Sequence, residues 1–247
     1  MRRPGPLLDG EAEQRLLREG VIRARGLMPD CSNYTYLAEV CDARGDGQTL
    51  GVYKPAAGET PLDDFPTGTL SRREVAAYVV SHVLGWNVVP YTVFRSDGPH
   101  GAGSLQRFIH ADLQQHYFSL MPARAGDFKT MAAFDVIVNN ADRKSGHCLL
   151  DGEGHIWGVD NGLTFHALPK LRTVIWEFGG EEIPPALRRD ADRLARDIAD
   201  RKAWVGELQS LISGPELKAL ANRARRLAQE GRYPQPTSRW AYPWPLV

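Results

Sequence analysis

The sequence predicts an α+β fold with two lobes, in which a small antiparallel sheet with one helix precedes a mainly helical lobe. Three observations predict this order. Apolar residues alternate with polar ones between residues 21 and 53, which is typical of half-buried strands. A single helical stretch follows at residues 71–84, and the helical period dominates after residue 127. We expect a sheet lobe over residues 1–105, a hinge and connector over 106–126, and a helical lobe over 127–247.

Local signals predict each element of the sheet lobe. Residues 11–19 (EAEQRLLRE) have the spacing of a short amphipathic helix. Ser71 begins a second helix and Gly85 ends it, because glycine is favoured just beyond a helix. The alternating segments that we expect to be strands occupy residues 21–27, 34–41, 49–53, 88–94 and 104–109.

The helical lobe is predicted from longer periodic segments. Residues 127–138 (DFKTMAAFDVIV) should form a helix, and short strands should flank the turn DGEG at residues 151–154. Residues 185–230 are rich in Ala, Leu and Arg, and they are predicted to form two helices with a break at Gly214-Pro215. The tail, residues 231–247, should be irregular, because its prolines lack the backbone donor that a helix needs.

Composition excludes several classes of protein. Lys plus Arg and Asp plus Glu both number 30, so the net charge favours neither a nucleic acid nor an anionic membrane. The start MRRPGPLLDG lacks the apolar stretch of a signal peptide, and no segment approaches the roughly 20 apolar residues of a membrane helix. Cys31, Cys41 and Cys148 are too few for a disulfide framework. We expect a globular protein of the reducing cytoplasm.

Four charged residues interrupt apolar segments in an order that indicates phosphoryl transfer. Lys54 ends a strand, and Glu74 lies in the helix after it. Asp142 lies in NNADRKSGH after an apolar helix, and Asp160 follows the strand HIWGV. Phosphoryl transfer uses a lysine on the phosphates, a glutamate that holds it, a carboxylate that orients the attacking hydroxyl and a second one for the metal.

Each of these residues also has a structural alternative when it is taken singly. SRRE at residues 71–74 is a capping box in its own right. Lys54 fits a solvated strand end, and the Asp142-Arg143 pair fits a salt bridge. DNG at residues 160–162 fits an Asx-type turn. Their joint occurrence in this order favours a nucleotide site.

Other catalytic classes lack their sequence patterns. The P-loop string GxxxxGK[ST] and the serine hydrolase string GxSxG are both absent. The histidines and Cys148 have neither HxxxH nor CxxC spacing, which structural and catalytic zinc sites commonly use.

Five segments resemble the atypical kinases related to phosphatidylinositol 3- and 4-kinases. Within that group the resemblance is closest to a bacterial family of kinase-like proteins near the HipA and type II phosphatidylinositol 4-kinase branch. It covers roughly residues 20–180 in order and implies a two-lobed protein-kinase-like fold. The segments are GVYKP (51–55), RREVAAYVVSHVLGW (72–86), GSLQRFI (103–109), NNADRKSGH (139–147) and GVDNGLTF (158–165).

The resemblance implies roles for the four charged residues. Lys54 would contact the ATP phosphates, with Glu74 as its ion-pair partner. Asp142 matches the catalytic-loop aspartate, and Asp160 matches the metal-binding aspartate that corresponds to the DFG position of protein kinases.

Further residues receive roles in the same way. The hinge would comprise Gln106, Arg107, Phe108 and Ile109, with backbone groups of Gln106 and Phe108 meeting adenine. In the turn PDCSNYT, which lies where the family has its phosphate-covering hairpin, the candidate phosphate donors are Ser32, Asn33 and Thr35. Arg143 or Lys144 would stabilise charge on the transferred group.

His147 departs from the family pattern, which places a metal-binding asparagine five residues after the catalytic aspartate. A neutral imidazole binds divalent metals, but it suits Mn²⁺ and other transition metals better than Mg²⁺. We expect His147 and Asp160 to hold the metal. The phosphate turn also lacks glycines, which restricts how closely its backbone approaches a phosphate.

The sequence therefore predicts an ATP- and divalent-metal-dependent kinase, with Mg²⁺ or Mn²⁺ as the metal. Its acceptor is expected to be a protein or small-molecule hydroxyl, because the neutral chain offers no basic surface for a phosphoinositide. Two alternatives stay open: a pseudokinase that binds ATP as a scaffold, and an enzyme that transfers AMP.

Overall fold

The computed structural model describes residues 10–29, 33–44 and 47–247. The chain divides into two compact units, which are named here after their main content. The sheet unit comprises Met1–Val75 and Pro90–Phe108, and the helical unit comprises Ala76–Val89 and Ile109–Val247.

An antiparallel sheet of five strands forms most of the sheet unit. Its spatial order is β1-β2-β3-β5-β4, so β3 is the central strand, with β2 and β5 as its neighbours. A central strand has both edges paired, which fixes the direction of its side chains. The elements are α1 (Gly10–Glu19), β1 (Val21–Leu27), β2 (Tyr36–Cys41), β3 (Gln48–Pro55), β4 (Thr92–Arg95) and β5 (Gly103–Arg107). The helix α2 (Leu70–Leu84) begins in the sheet unit and continues into the helical unit from Ala76.

The core of the sheet unit lies between α1 and one face of the sheet. Alternate strand residues point to this face, as the period-two pattern predicts. A glycine allows the close approach of β5 to β3, because a Cβ at Gly103 would lie 2.2 Å from the Lys54 carbonyl oxygen. The buried cluster consists of Leu17, Ile22, Ala38, Val40, Tyr53 and Leu105.

Four helices and a two-stranded hairpin build the rest of the helical unit. The last helix packs against α4 and α3, and Arg193 of α4 donates hydrogen bonds to the Val83 and Leu84 carbonyls at the end of α2. These bonds satisfy carbonyls that a helix terminus leaves unpaired. The elements are α3 (Tyr117–Val138), β6 (Cys148–Leu150), β7 (Ile156–Gly158), α4 (Pro185–Ala199), α5 (Ala203–Leu211) and α6 (Gly214–Glu230).

The α+β class predicted from the sequence is confirmed, and three boundaries are corrected. The helix expected from residue 127 begins at Tyr117, and it accommodates Pro122 through a kink with non-helical backbone at Arg124. The segment 185–230 contains a further break, because α4 ends at Ala199 and α5 begins at Ala203. The strand expected over residues 88–94 is shorter, since β4 begins at Thr92.

Among the helices that the structure describes, none combines the length and the apolar character needed to cross a bilayer.

Candidate functional site

In the sheet unit, Lys54 and Glu74 form an ion pair, as the sequence predicts. Lys54 lies near the end of the central strand β3, and its Nζ donates a hydrogen bond to Glu74 Oε1 of α2. The Glu74 side chain is 4% exposed and that of Lys54 is 21% exposed. The pair therefore holds a partly accessible ammonium group at a fixed position.

The capping-box alternative for residues 71–74 is not needed to explain Glu74. The backbone amide of Ser71 donates to Glu59 Oε1 at 2.9 Å, so Glu59 satisfies a donor that helix termini leave unpaired. Glu74 is thereby available to Lys54.

Asn33 and Thr35, two described residues of the turn predicted to cover the phosphates, form hydrogen bonds within the protein. Asn33 Oδ1 accepts from the Thr60 amide at 2.7 Å, and the buried Thr35 hydroxyl donates to the Asn33 carbonyl at 3.2 Å. Phosphate contacts for Asn33 and Thr35 stay a prediction, and Ser32 lies outside the described residues.

The predicted hinge begins inside the sheet. Gln106 lies in β5 between Val52 and Thr92, and the Phe108 amide donates to the Leu50 carbonyl at 3.2 Å. The Arg107 side chain forms an ion pair with Glu13 at 3.0 Å. Ile109 is the first residue of the helical unit after β5. The adenine contacts predicted for Gln106, Arg107, Phe108 and Ile109 stay a prediction.

In the helical unit, two asparagines end α3 and shape the loop that follows. Asn139 has a left-handed backbone, and its side-chain amide donates to the carbonyls of His166 and Leu168. Asn140 donates to Asp135 at 3.1 Å and accepts from the Asp142 amide at 2.9 Å. Both asparagines are buried, so the loop leaves the helix in one conformation.

A buried ion pair lies beneath this loop. The side chains of Asp135 and Arg143 are both 0% exposed, and Arg143 Nη2 lies 3.0 Å from Asp135 Oδ1. Burial acts to lower the pKa of Arg143, but the neighbouring Asp135 carboxylate raises it above its ordinary value. The Arg143 guanidinium therefore stays charged inside the unit, and it depends on Asp135 as its buried partner.

Arg143 also holds the segment that follows β7. Its Nη1 donates to the Val159 carbonyl at 2.8 Å, and its Nη2 donates to Asn161 Oδ1 at 2.7 Å. Val159 and Asn161 flank Asp160 in the chain. One guanidinium thus holds the Val159 backbone on one side of Asp160 and the Asn161 side chain on the other, and the five donors of an arginine make this possible.

These contacts bring three predicted site residues together. Ligand atoms of Asp142, His147 and Asp160 all lie within 4.8 Å of one another. Asp160 has a φ of 57°, a left-handed conformation that is uncommon for a residue other than glycine and is often found at functional sites. Its side chain is 51% exposed, so the cluster is open to solvent.

Lys144 is the cation that accompanies the cluster. Its Nζ lies 3.0 Å from Asp142 Oδ2, and its side chain is 20% exposed. Burial raises the pKa of Asp142 above its ordinary value; Lys144 opposes this shift, and the Asp160 carboxylate adds to it. Arg143, by contrast, is wholly enclosed by protein acceptors, so of the two predicted cations only Lys144 is accessible to a substrate.

The ring of His147 is held from both nitrogens. Its Nδ1 accepts from the Lys144 amide at 3.3 Å, and its Nε2 lies 3.4 Å from Asp160 Oδ2. A neutral imidazole whose Nδ1 accepts carries its proton on Nε2. In this tautomer His147 donates to Asp160, and it becomes a metal ligand at Nε2 only when that proton moves.

The donor set suits a divalent cation. The set contains two carboxylates and one imidazole, whose ligand atoms all lie within 4.8 Å of each other. Such a mixture of oxygen and nitrogen ligands suits Mn²⁺ better than Mg²⁺, which prefers oxygen ligands alone. Asp142, His147 and Asp160 are therefore the residues that fit the metal expected from the sequence.

Sequence reasoning missed the support of this cluster. The helix predicted over residues 127–138 contains Asp135, to which the sequence pattern assigns no role. Asp135 is a charged residue in the middle of an apolar helix, and an arginine follows it eight positions later. This combination is the sequence signal of a buried ion pair. The contact of the loop with Leu246, whose carbonyl accepts from the Ser145 amide at 2.8 Å, has no comparable sequence signal.

Comparison with known proteins identifies a family. No protein-family model matches the chain. Protein Rv2133c of Mycobacterium tuberculosis is 36% identical to it over a gapped alignment of 274 positions, which covers 94% of this chain and 95% of the mycobacterial protein. The chain belongs to the Rv2133c family.

Solved structures give the fold of this Rv2133c-family chain. A Golgi casein kinase, crystallised with Mn and ADP, superposes with a TM-score of 0.51 at 13% identity, over 96% of this chain and 80% of that chain. The Helicobacter pylori proinflammatory kinase CtkA gives a TM-score of 0.45 at 9% identity, over 87% of this chain and 93% of that one, which is too distant to add weight. The fold is kinase-like, as predicted.

Removal of one partner of the buried pair is expected to destabilise the protein strongly. Asp135→Asn leaves the Arg143 guanidinium buried without its counter-charge, so the free energy of unfolding should fall by about 3–5 kcal/mol. Urea denaturation followed by circular dichroism measures the change. The control Asp192→Asn removes the half-exposed partner of Arg196 and should cost less than about 1 kcal/mol. A similar small loss in both variants would contradict the role given to Asp135.

His147 is expected to set the choice of metal. His147→Asn replaces an imidazole by the amide oxygen that Mg²⁺ prefers, so the ratio of Mg²⁺ to Mn²⁺ affinity should rise. Titration calorimetry with each metal measures both affinities. His155→Asn, outside the cluster, is the control and should leave the ratio unchanged. An unchanged ratio in His147→Asn would remove His147 from the metal shell and leave it as the donor to Asp160.

Proposed function

We propose that the chain is an ATP-dependent phosphotransferase that transfers the γ-phosphoryl group to a hydroxyl of a protein or small molecule. The grouping of Asp142, His147 and Asp160 on a kinase-like fold carries this proposal. Metal binding by His147 and Asp160, and catalysis by Asp142, are the roles that the cluster supports best.

Nucleotide binding draws further support from the sheet unit. In the proposal, the Lys54 ammonium binds phosphate oxygens while Glu74 keeps it in position. Gln106 to Ile109 would meet the adenine, and Ser32, Asn33 and Thr35 would cover the phosphates. A Mn²⁺ or Mg²⁺ ion, when bound, would neutralise charge on the phosphate oxygens. The Golgi casein kinase structure, with its Mn and ADP, is consistent with these two cofactors.

The reaction is assigned to groups of this chain as follows. Asp142 orients the acceptor hydroxyl, whose oxygen forms a bond to the γ-phosphorus as the bond from that phosphorus to the β–γ bridging oxygen breaks. ADP leaves with the bonding electron pair, and the hydroxyl proton passes to Asp142. The accessible Lys144 ammonium, 3.0 Å from Asp142, stabilises charge on the transferred group. Arg143, the other cation predicted for that role, would instead position the segment that carries Asp160.

The finer family placement belongs to the same proposal. We assign the chain to the branch that contains HipA and the phosphatidylinositol 3- and 4-kinases on the five segments that resemble it. A cytoplasmic location is supported by Cys41 and Cys148, which are buried free thiols of the kind that a reducing compartment maintains.

A pseudokinase is the second candidate, and one observation favours it. The hydrogen bond from the Lys144 amide to Nδ1 of His147 selects the tautomer in which Nε2 carries a proton and does not bind metal. If that tautomer persists with nucleotide bound, the chain binds ATP without efficient transfer.

Labelled ATP distinguishes these functions. We expect transfer of label from the γ position, with a loss of about a hundredfold or more in Asp142→Ala, because proton transfer by a positioned carboxylate contributes that much. Scintillation counting with Mg²⁺ and with Mn²⁺ measures it, and Asp192→Ala serves as the control carboxylate. Label from the α position would instead indicate AMP transfer. Thermal stabilisation by ATP and metal without any transfer would indicate the pseudokinase.

A further inference from the structure

A cavity of about 330 Å³ lies in the helical unit, outside the cluster of Asp142, His147 and Asp160. Its size falls within the range of small-ligand pockets, roughly 300–1,000 Å³. The residues that form its walls include Phe118, Val174, Trp176, Glu177, Tyr242 and Leu246.

Two walls of the cavity are tied to the catalytic loop. The Val174 amide donates to the Arg143 carbonyl at 3.0 Å, and the Ser145 amide donates to the Leu246 carbonyl at 2.8 Å. Arg143 and Ser145 flank Lys144, whose ammonium pairs with Asp142. Two residues that line the cavity are therefore hydrogen-bonded to the loop that carries the proposed catalytic carboxylate.

The cavity combines aromatic rings with a single carboxylate. The rings of Trp176 and Tyr242 are 6.4 Å apart at 61°, and Phe118 and Tyr242 are 42% and 41% exposed. Glu177 lies in the same wall. Aromatic faces together with a carboxylate are the usual surroundings of a bound ammonium or guanidinium group.

Glu177 has a phenol as its hydrogen-bond partner. The buried Tyr117 hydroxyl donates a hydrogen bond to it. Burial raises the pKa of Tyr117, and Glu177 adds to this shift, so the phenol stays protonated and serves as the donor. Among the residues that the structure describes, no lysine or arginine forms an ion pair with Glu177. The Glu177 carboxylate can therefore pair with a cationic group of a ligand.

We propose that this cavity binds the acceptor, and that the acceptor carries a positively charged group next to its hydroxyl. This inference rests on the proposed phosphotransferase function and adds the chemical class of its substrate. An anionic acceptor such as a phosphoinositide headgroup would be repelled by Glu177, whereas an amino alcohol or a basic residue beside a hydroxyl residue would pair with it.

Binding is tested with two probes that differ only in charge. Tyramine carries a phenol and an ammonium group, and 4-ethylphenol has the same carbon skeleton and phenol but lacks the ammonium group. Titration calorimetry on the wild type should give a Kd about tenfold lower for tyramine, since cation–π and carboxylate contacts act together. Glu177→Gln should abolish this difference, whereas Glu207→Gln, which removes a charge from an exposed position of the same unit, should keep it.

A second variant and a second arm complete the test. Phe118→Ala removes an exposed ring and should weaken tyramine binding without loss of thermal stability. A γ-label assay compares peptides that place a serine beside a lysine with the same peptides carrying acetyl-lysine. Stronger labelling of the lysine peptides would assign the cationic group to a protein acceptor. Labelling of tyramine alone would assign it to a small molecule.

The outcomes separate the two proposals. Equal affinity for tyramine and 4-ethylphenol, or a tyramine preference that survives in folded Glu177→Gln, would overturn the cationic site and leave the phosphotransferase function intact. Binding that depends on Glu177 without transfer of γ label to any acceptor would uphold the cation site and overturn the phosphotransferase function.

Discussion

The buried ion pair between Asp135 and Arg143 is the interaction on which the candidate site depends. It joins the end of α3, the loop after it and the segment after β7, because Arg143 bonds Asp135, the Val159 carbonyl and the Asn161 side chain together. Asp142, the proposed catalytic carboxylate, and Asp160, the proposed metal ligand, each lie next to a residue of this network. The buried Arg143 guanidinium therefore positions the site residues, although it is not itself accessible to a substrate.

Such a pair is costly to bury and costly to break. Desolvation offsets much of the attraction between the two charges, so the pair contributes little net stability compared with apolar residues, but the loss of one partner leaves an uncompensated charge. What the pair adds is a fixed geometry. A guanidinium has donors in a rigid plane, and their directions determine how residues 159–161 turn, including the left-handed backbone of Asp160.

The local parts of the fold were predictable from the sequence, and the long-range contacts were not. The strands β1 to β3, the helix α2 and the Lys54–Glu74 pair follow from periodicity, glycine signals and the order of charged residues. The early start of α3 was missed because Pro122 normally interrupts a helix, and here a kink accommodates it. The role of Asp135, the burial of Arg143 and the wall supplied by Leu246 depend on packing between distant segments, which a single sequence does not encode locally.

The most direct test of the account is Mn²⁺ binding by Arg143→Lys, measured by electron paramagnetic resonance of the free ion. Lysine keeps the charge opposite Asp135, but its single ammonium cannot reproduce the bonds to Val159 and Asn161. We expect a folded variant, verified by circular dichroism, whose Mn²⁺ affinity is about 10- to 100-fold lower, as for other losses of supporting contacts around a metal site. A folded variant that binds Mn²⁺ as tightly as the wild type would contradict the account.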